Sequence, residues 1–418
     1  MDHRHIPHRQ DALPRKLQRR RRHKSRRGCF QICLWRQRTL DLPPSSCQQG
    51  HLPLPRTHTI GSDVPLTDPI VTQYKKLSHR RSALISLLFF CLIFAFTLSL
   101  CVGSSYIPPL EVIARLLNNR GGNLDAIIWE IRLPRAFVAV FAGAGLALAG
   151  SATQVSVRNP LASPFTLGIS SAAGFGAALA IVLGAGGFIH TYLGGILVLS
   201  HFPLIISSFS FSLLATLITI SLAKLKGAAP ETIILTGIAM SFLFSAATSF
   251  MQYFGTTEQV ASIVFWLFGS LSKASWDGFW TIFLVFVAAS IPLYRWSYRY
   301  NALLIDDEVA KSLGVNPETL RLTSMILSSL VTATIVSFLG VIGFVCLVSP
   351  HITRMIIGSD NKYLFPASAL VGANILVLSD VVSRTLLPPI ILPVGIITSF
   401  LGVPLLLYLI LKKKRHWY

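Results

Sequence analysis

Charged side chains are scarce in this chain. Only 13% of its 418 residues are Asp, Glu, Lys or Arg, and eight intervals contain none: 83–103, 136–157, 159–223, 232–257, 278–294, 322–353, 363–379 and 385–411. Runs of that length and polarity belong in a bilayer, not in a water-soluble core. Acid is scarcer still, with 17 Asp and Glu against 37 Lys and Arg, and the twelve acidic residues beyond position 82 are expected at the ends of apolar runs or between them. Ion-coupled transporters usually carry a carboxylate or a broken helix near the midplane, so this pattern weakens that class. It leaves the class open, because backbone carbonyls alone can hold sodium. No GxxxxGK[ST] phosphate loop is present, so the chain does not hydrolyse ATP itself. No nucleophile stands beside a base. His351 has Pro350 and Arg354 nearby but no Ser, Cys or carboxylate at helical spacing, and reads as a core or interfacial histidine. No catalytic residue, cofactor or metal ligand set is expected.

What is present is a series of spans. About 20 apolar residues cross a membrane, and dividing the longest intervals at His201–Pro203 and at Gly340–Gly343 gives ten: 83–103, 135–157, 165–185, 203–223, 232–252, 277–294, 321–339, 342–357, 363–384 and 393–411. The expected fold is all-α, a polytopic integral membrane protein of about ten transmembrane helices. Small-residue stretches such as GAGLALAGSA (143–152) and ASALVGA (367–373) let helices approach closely, which indicates tight packing and nothing more specific.

Charge distribution sets organisation and orientation. Residues 1–82 carry 18 of the 37 Lys and Arg, and the stretch 1–72 has no apolar periodicity and no signal-peptide core, so it reads as a disordered basic extension. Such an arm attracts anionic lipid more readily than nucleic acid, and no nucleic-acid partner is expected. The organised part, 73–418, begins near Gln73, which raises the expectation that the translational start has been placed upstream of the natural one. Cys29, Cys33, Cys47 and His51 spell no common zinc finger, while Cys91, Cys101 and Cys346 lie in or beside apolar spans and read as small core residues. With the N-terminus inside, Lys75, Lys76, Arg80, Arg81, Arg158, Lys224, Lys226, Arg295, Arg299, Lys311, Arg321, Arg354, Lys362 and Lys412–Arg415 fall on one side. Arg115, Arg120, Arg132, Arg135, Lys273 and Arg384 fall on the other. Seventeen against six places both termini in the cytoplasm.

The loop after the sixth span, NALLIDDEVAKSLGVNPETLR (301–321), can form a short helix capped by Asp306 and stopped at Gly314. Glu308, Val309, Ala310 and Gly314 follow the spacing EAAxxxG, which resembles the coupling loop of ABC importer permeases. An ordinary amphipathic connector is the other reading. In order along the chain, RLPRAFVAVFAGAGLALAGSATQ, RNPLASPFTLGISSAAGFG, LTGIAMS, WLFGSLS, SLGVNP, GVIGFVCLVSPHITRMIIGSDNKYLFPASALVGA, SDVVSRTL and LPVGIITSFLGVPLLLYLI resemble the FecCD family of ABC permeases, from about residue 83 to 415. Residues 1–72 fall outside the resemblance.

The resemblance implies a type II ABC importer permease in the inner (cytoplasmic) membrane. Its partners are a second permease subunit, two cytoplasmic ABC ATPase subunits and an extracytoplasmic binding protein. It further implies that the loop around Asp307, Glu308, Ala310 and Gly314 couples to the ATPase, and that the fifth, eighth and tenth spans face the path. Arg132, Arg135 and Arg384 would meet carboxylates of the binding protein, with Pro134 fixing the helix start beneath the first two. Snorkelling of these arginines to headgroups is the plainer alternative, and Asp380 competes for Arg384 from four residues away. The expected cargo is a ferric siderophore, with haem or cobalamin as the alternative within the family and ion-coupled transport as the alternative outside it.

Overall fold

A computed structural model describes residues 69–103, 106–117, 121–185 and 202–411. The basic extension 1–68, with Cys29, Cys33, Cys47 and His51, lies outside the described residues, as do Arg120 and Lys412–Arg415. The described chain is helical: α1 (Pro69–Cys101), α2 (Pro109–Leu117), α3 (Asn123–Ser156), α4 (Ile169–Ala185), α5 (Phe202–Lys224), α6 (Pro230–Phe254), α7 (Thr257–Leu267), α8 (Trp276–Arg295), α9 (Ser297–Ile305), α10 (Asp307–Ser312), α11 (Pro317–Leu339), α12 (Val345–Ile357), α13 (Asn361–Thr385) and α14 (Val394–Leu411). Among the described residues seven helices are long and apolar enough to cross a bilayer: α3, α5, α6, α8, α11, α13 and the Lys75–Cys101 part of α1. Three shorter apolar helices, α4, α12 and α14, accompany them. Together they coincide with the ten spans expected from sequence.

α3 is the axis of the bundle. It packs against α13, α11, α12 and α8, and nearly all of its side chains from Leu133 to Ser156 are buried. The reason lies in its sequence. A bilayer gives helices no hydrophobic drive toward one another, so close approach through small residues supplies the contact energy. At Gly143 a side chain would meet the Gly372 carbonyl of α13, and at Gly150 it would meet the Cys346 carbonyl of α12, so both positions need the bare backbone. The outward faces of α1, α5, α6 and α8 carry large apolar residues such as Phe90, Phe94, Leu217, Phe242 and Leu284. Such faces match apolar surroundings rather than water.

Three expectations need correction. Pro134 does not begin a helix: α3 runs upstream through a π-helical stretch, Ile127–Arg132, to Asn123. The wider π turn accommodates a proline ring that would otherwise collide with the preceding turn. Cys91 is exposed on α1 and is not a core residue, whereas Cys101 and Cys346 are buried. Asp380 is not peripheral. It sits within α13, wholly buried.

Candidate functional site

At one end of the bundle, α10 forms a single projecting turn and a half between α9 and α11. Asp306 takes the N-cap position but its side chain makes no capping bond; its carboxylate instead lies 3.3 Å from Arg158 Nη1, at the end of α3. The C-terminus stops as the sequence requires. Gly314 has φ +77°, its N–H donates to Lys311 O at 3.0 Å, and Val315 N–H donates to Ala310 O at 2.9 Å. This paired closure needs a left-handed residue, which glycine adopts at least cost.

Asp307 ties α10 to the bundle. Arg321 of α11 donates to both of its carboxylate oxygens, at 2.8 and 2.6 Å, and Arg158 Nη2 donates to Oδ1 at 2.5 Å. Arg321 Nε also donates to Ser156 O at 2.9 Å, so one guanidinium spans α3, α10 and α11. Bidentate arginine–carboxylate geometry fixes direction as well as distance. Burial pushes the Asp307 carboxyl up, but the Arg321 hydrogen bonds and the charges of Arg321, Arg158 and Lys311 outweigh it and hold it below its ordinary value. Ala310 is buried against the bundle, whereas Glu308, Lys311, Leu313 and Gly314 face outward, Leu313 at 65% exposure. A cleft of about 500 Å³ beside them is lined by Gly227, Asn316, Pro317 and Glu318 among others.

At the opposite end the three arginines singled out in sequence converge. Arg135 donates through Nε and Nη2 to Asp380 Oδ1 at 2.9 and 2.7 Å, and Arg384 Nη2 lies 2.9 Å from Asp380 Oδ2. Arg384 also donates to Ser99 Oγ and to the carbonyls of Ser99 and Val102, while Arg132 Nη1 donates to the carbonyls of Leu100 and Cys101. The end of α1 is thereby clamped to α3 and α13. Their exposures of 5, 7 and 7% for Arg132, Arg135 and Arg384 show guanidinium groups turned into the protein and engaged there.

Between the two ends, a groove of about 490 Å³ runs past Phe268, Val341, Gly343, Ser399, Phe400 and Val403, along α14 and the extended link before α12; no charged side chain lines it. His351 of α12 is buried. Among the described residues no three His, Cys, Asp or Glu side chains gather as a metal site would require. Sequence reasoning missed Arg158 and Arg321 as the anchors of α10. Only part of the signal was present in sequence: Arg321 closes the loop that carries Asp306 and Asp307, whereas Arg158 comes from the end of α3, 148 positions before Asp306.

The FecCD transport family model matches residues 91–412. An ABC transporter permease protein of Methanocaldococcus jannaschii is 43% identical over 344 residues, 82% of this chain and 98% of the relative. The hemin transport system permease protein of Yersinia pestis is 36% identical over 321 residues, 76% of this chain and 93% of the relative. A solved structure described as a metal-chelate type ABC transporter in an inward-facing conformation superposes with a TM-score of 0.68 at 32% identity, covering 80% of this chain and 100% of its own. Motif order, helix architecture and these likenesses agree: the chain belongs to the FecCD transport family and is a membrane-spanning permease subunit of an ABC importer.

Proposed function

We propose that this permease imports an iron chelate, a ferric siderophore above all, across the cytoplasmic membrane, driven by a separate ATPase. The observation that carries the drive is α10. It projects from the bundle with Glu308 and Leu313 exposed, yet Asp307 fastens it through Arg321 to both α3 and α11. A push on α10 is therefore delivered to two spanning helices and not absorbed by a loose loop. The ATPase cleft receives Glu308, Leu313 and Gly314, and nucleotide-driven closure rocks the bundle between outward-open and inward-open states.

The remaining partners follow from the same frame. A second permease subunit, identical or related, covers the outward apolar faces of α6 and α14 and closes a path along the uncharged groove at Phe268, Ser399 and Phe400. That lining suits a large chelate that encloses its metal better than a bare ion, which would need charged or carbonyl ligands. Haem and cobalamin satisfy the same argument, and likeness to a hemin permease keeps haem as the runner-up. An extracytoplasmic binding protein delivers the cargo to the face built over Arg132, Arg135 and Arg384. Because Asp380 and α1 already engage these groups, a docking carboxylate must displace an internal partner to reach them, and shaping that face is the role their contacts support best. Both termini lie in the cytoplasm, and 73–418 forms the transport domain behind a 1–72 extension. Affinity purification from iron-limited cells supplied with a ferric siderophore before lysis, with mass spectrometry of the retained proteins and cargo, tests this assembly. Recovery of an ABC ATPase and a ferric chelate is expected; recovery of the chain without an ATPase would contradict it.

A further inference from the structure

A second large cavity is lined by none of the residues of the uncharged groove, of the Asp307 cluster or of the Asp380 cluster. It has a volume of about 620 Å³ and lies among α1, α3, α8 and α13. Its floor is Ala144, Leu148, Ala369 and Ala373, on the faces where α3 and α13 approach through Gly143 and Gly372. The small residues that permit that approach also leave the floor low, while Phe89, Phe286 and Ile291 stand as walls. Along α3 the lining runs from Val140 to Leu148, ~12 Å at the rise of a helix. Phe89 and Ile291 are more than half exposed, so the cavity opens sideways, toward the apolar surroundings of the bundle.

The mouth at the α9–α10 end is different in chemistry. Tyr294 lines it and is half exposed, with Trp296 and Tyr298 following, the aromatic pattern of a headgroup boundary. Arg295 stands one helical turn after the lining residue Ile291, and Lys362 one turn before the lining residue Pro366. Arg295 and Arg299 are exposed. The neighbouring carboxylate is Asp360, and it is held by Arg81 at 3.2 Å and by Asn301 at 2.9 Å. The balance at the mouth is therefore positive, above a slot without charge.

We propose that this cavity is a binding site for one anionic phospholipid, with an acyl chain along Ala144, Ala369 and Ala373 and the phosphate between Arg295 and Lys362. The site lies where α1 and α8 flank the packed pair α3–α13, so an occupant there touches all four spanning helices.

The full-length protein in mild detergent, titrated with phosphatidylglycerol or phosphatidylcholine of the same acyl chains and read by native mass spectrometry, tests this. The wild type should retain one phosphatidylglycerol in preference to phosphatidylcholine. Arg295→Gln with Lys362→Gln gives up the Lys362 contact over the Tyr363 ring and should reduce that preference by roughly fivefold per cation removed, while some acyl occupancy persists. Ala369→Phe should abolish the retained lipid of either kind, and thermal unfolding and size-exclusion profiles would establish that the variant is folded. Should Ala369→Phe not fold, the charge variant decides alone. Equal retention of the two lipids by the wild type, or an unchanged preference in the double glutamine variant, would overturn the assignment. So would a dimer that Ala369→Phe dissociates, which would give this face to a second copy of the chain.

Discussion

Arg135 and Asp380 stand 245 positions apart in sequence and meet inside the bundle, where both nitrogens offered by the guanidinium bond to the same carboxylate oxygen at 2.9 and 2.7 Å. Asp380 is fully buried and also pairs with Arg384, so one carboxylate balances two cations out of water. Removing one member of such a set leaves charge without compensation, at a cost of about 3–5 kcal/mol. Asp380→Ala should accordingly lower the thermal unfolding midpoint sharply in detergent. Arg135→Glu, which sets two carboxylates against each other, should reduce folded yield in fluorescence-detected size exclusion, with Arg135→Lys between it and the wild type.

Gly314 makes a different kind of demand. A side chain added there would meet nothing within 4 Å, so the constraint is its φ of +77° alone. Gly314→Asn, which tolerates the left-handed region, should keep transport near the wild-type rate. Gly314→Val should cost about 1–3 kcal/mol locally, leave the unfolding midpoint of the whole chain little changed, and abolish coupled uptake. Uptake and ATPase rates of the reconstituted complex measure both.

Asp307 sets a pH window. Its carboxyl lies below the ordinary value, so its bond to Arg321 lends stability that is complete above the unfolded value of about 3.9 and is lost as pH falls through the lower, folded value. Hydrogen exchange of residues 305–316 should therefore show protection that does not vary from pH 5 to 8. Asp307→Asn should lose that protection at every pH in the range. Protection that titrates between pH 5 and 7 would contradict the reading.

Gly150 tests the packing. A side chain there would collide with the Cys346 backbone, which no rotamer change relieves. Gly150→Ala should destabilise by more than the roughly 1–3 kcal/mol of ordinary overpacking, since α12 must move as a unit away from α3. Loss of monodisperse protein on size exclusion, with Gly184→Ala as an unaffected control in open space, is the expected result.

The spans were legible because a bilayer writes its thickness directly into the chain as runs without charge. The run 277–294 became Trp276–Arg295, and 363–384 became Asn361–Thr385. The stop at Gly314 was legible for a comparable reason, since a local backbone conformation has a local sequence cost. What escaped depended on partners far along the chain. The period of the sequence says nothing of a π turn that carries α3 past Pro134, and the charge-free part of α1 after Arg81 does not reveal that Cys91 faces outward. Arg132, Arg135 and Arg384 sit at the ends of the spans expected from sequence, where exposure is the ordinary outcome. Their inward turn follows from Asp380 and from the carbonyls at the end of α1; the spacing displays only the Asp380–Arg384 pair, not the Arg135–Asp380 bond or the contacts to α1.

The central claim is that this chain moves a ferric chelate by coupling to an ATPase through α10. The most direct test measures uptake of a radiolabelled ferric siderophore into proteoliposomes holding the permease, its ATPase and its binding protein, with and without ATP and with a protonophore present. The account predicts uptake that requires ATP, withstands the protonophore and disappears in Gly314→Val. Uptake that proceeds without ATP and collapses with the proton gradient would contradict it.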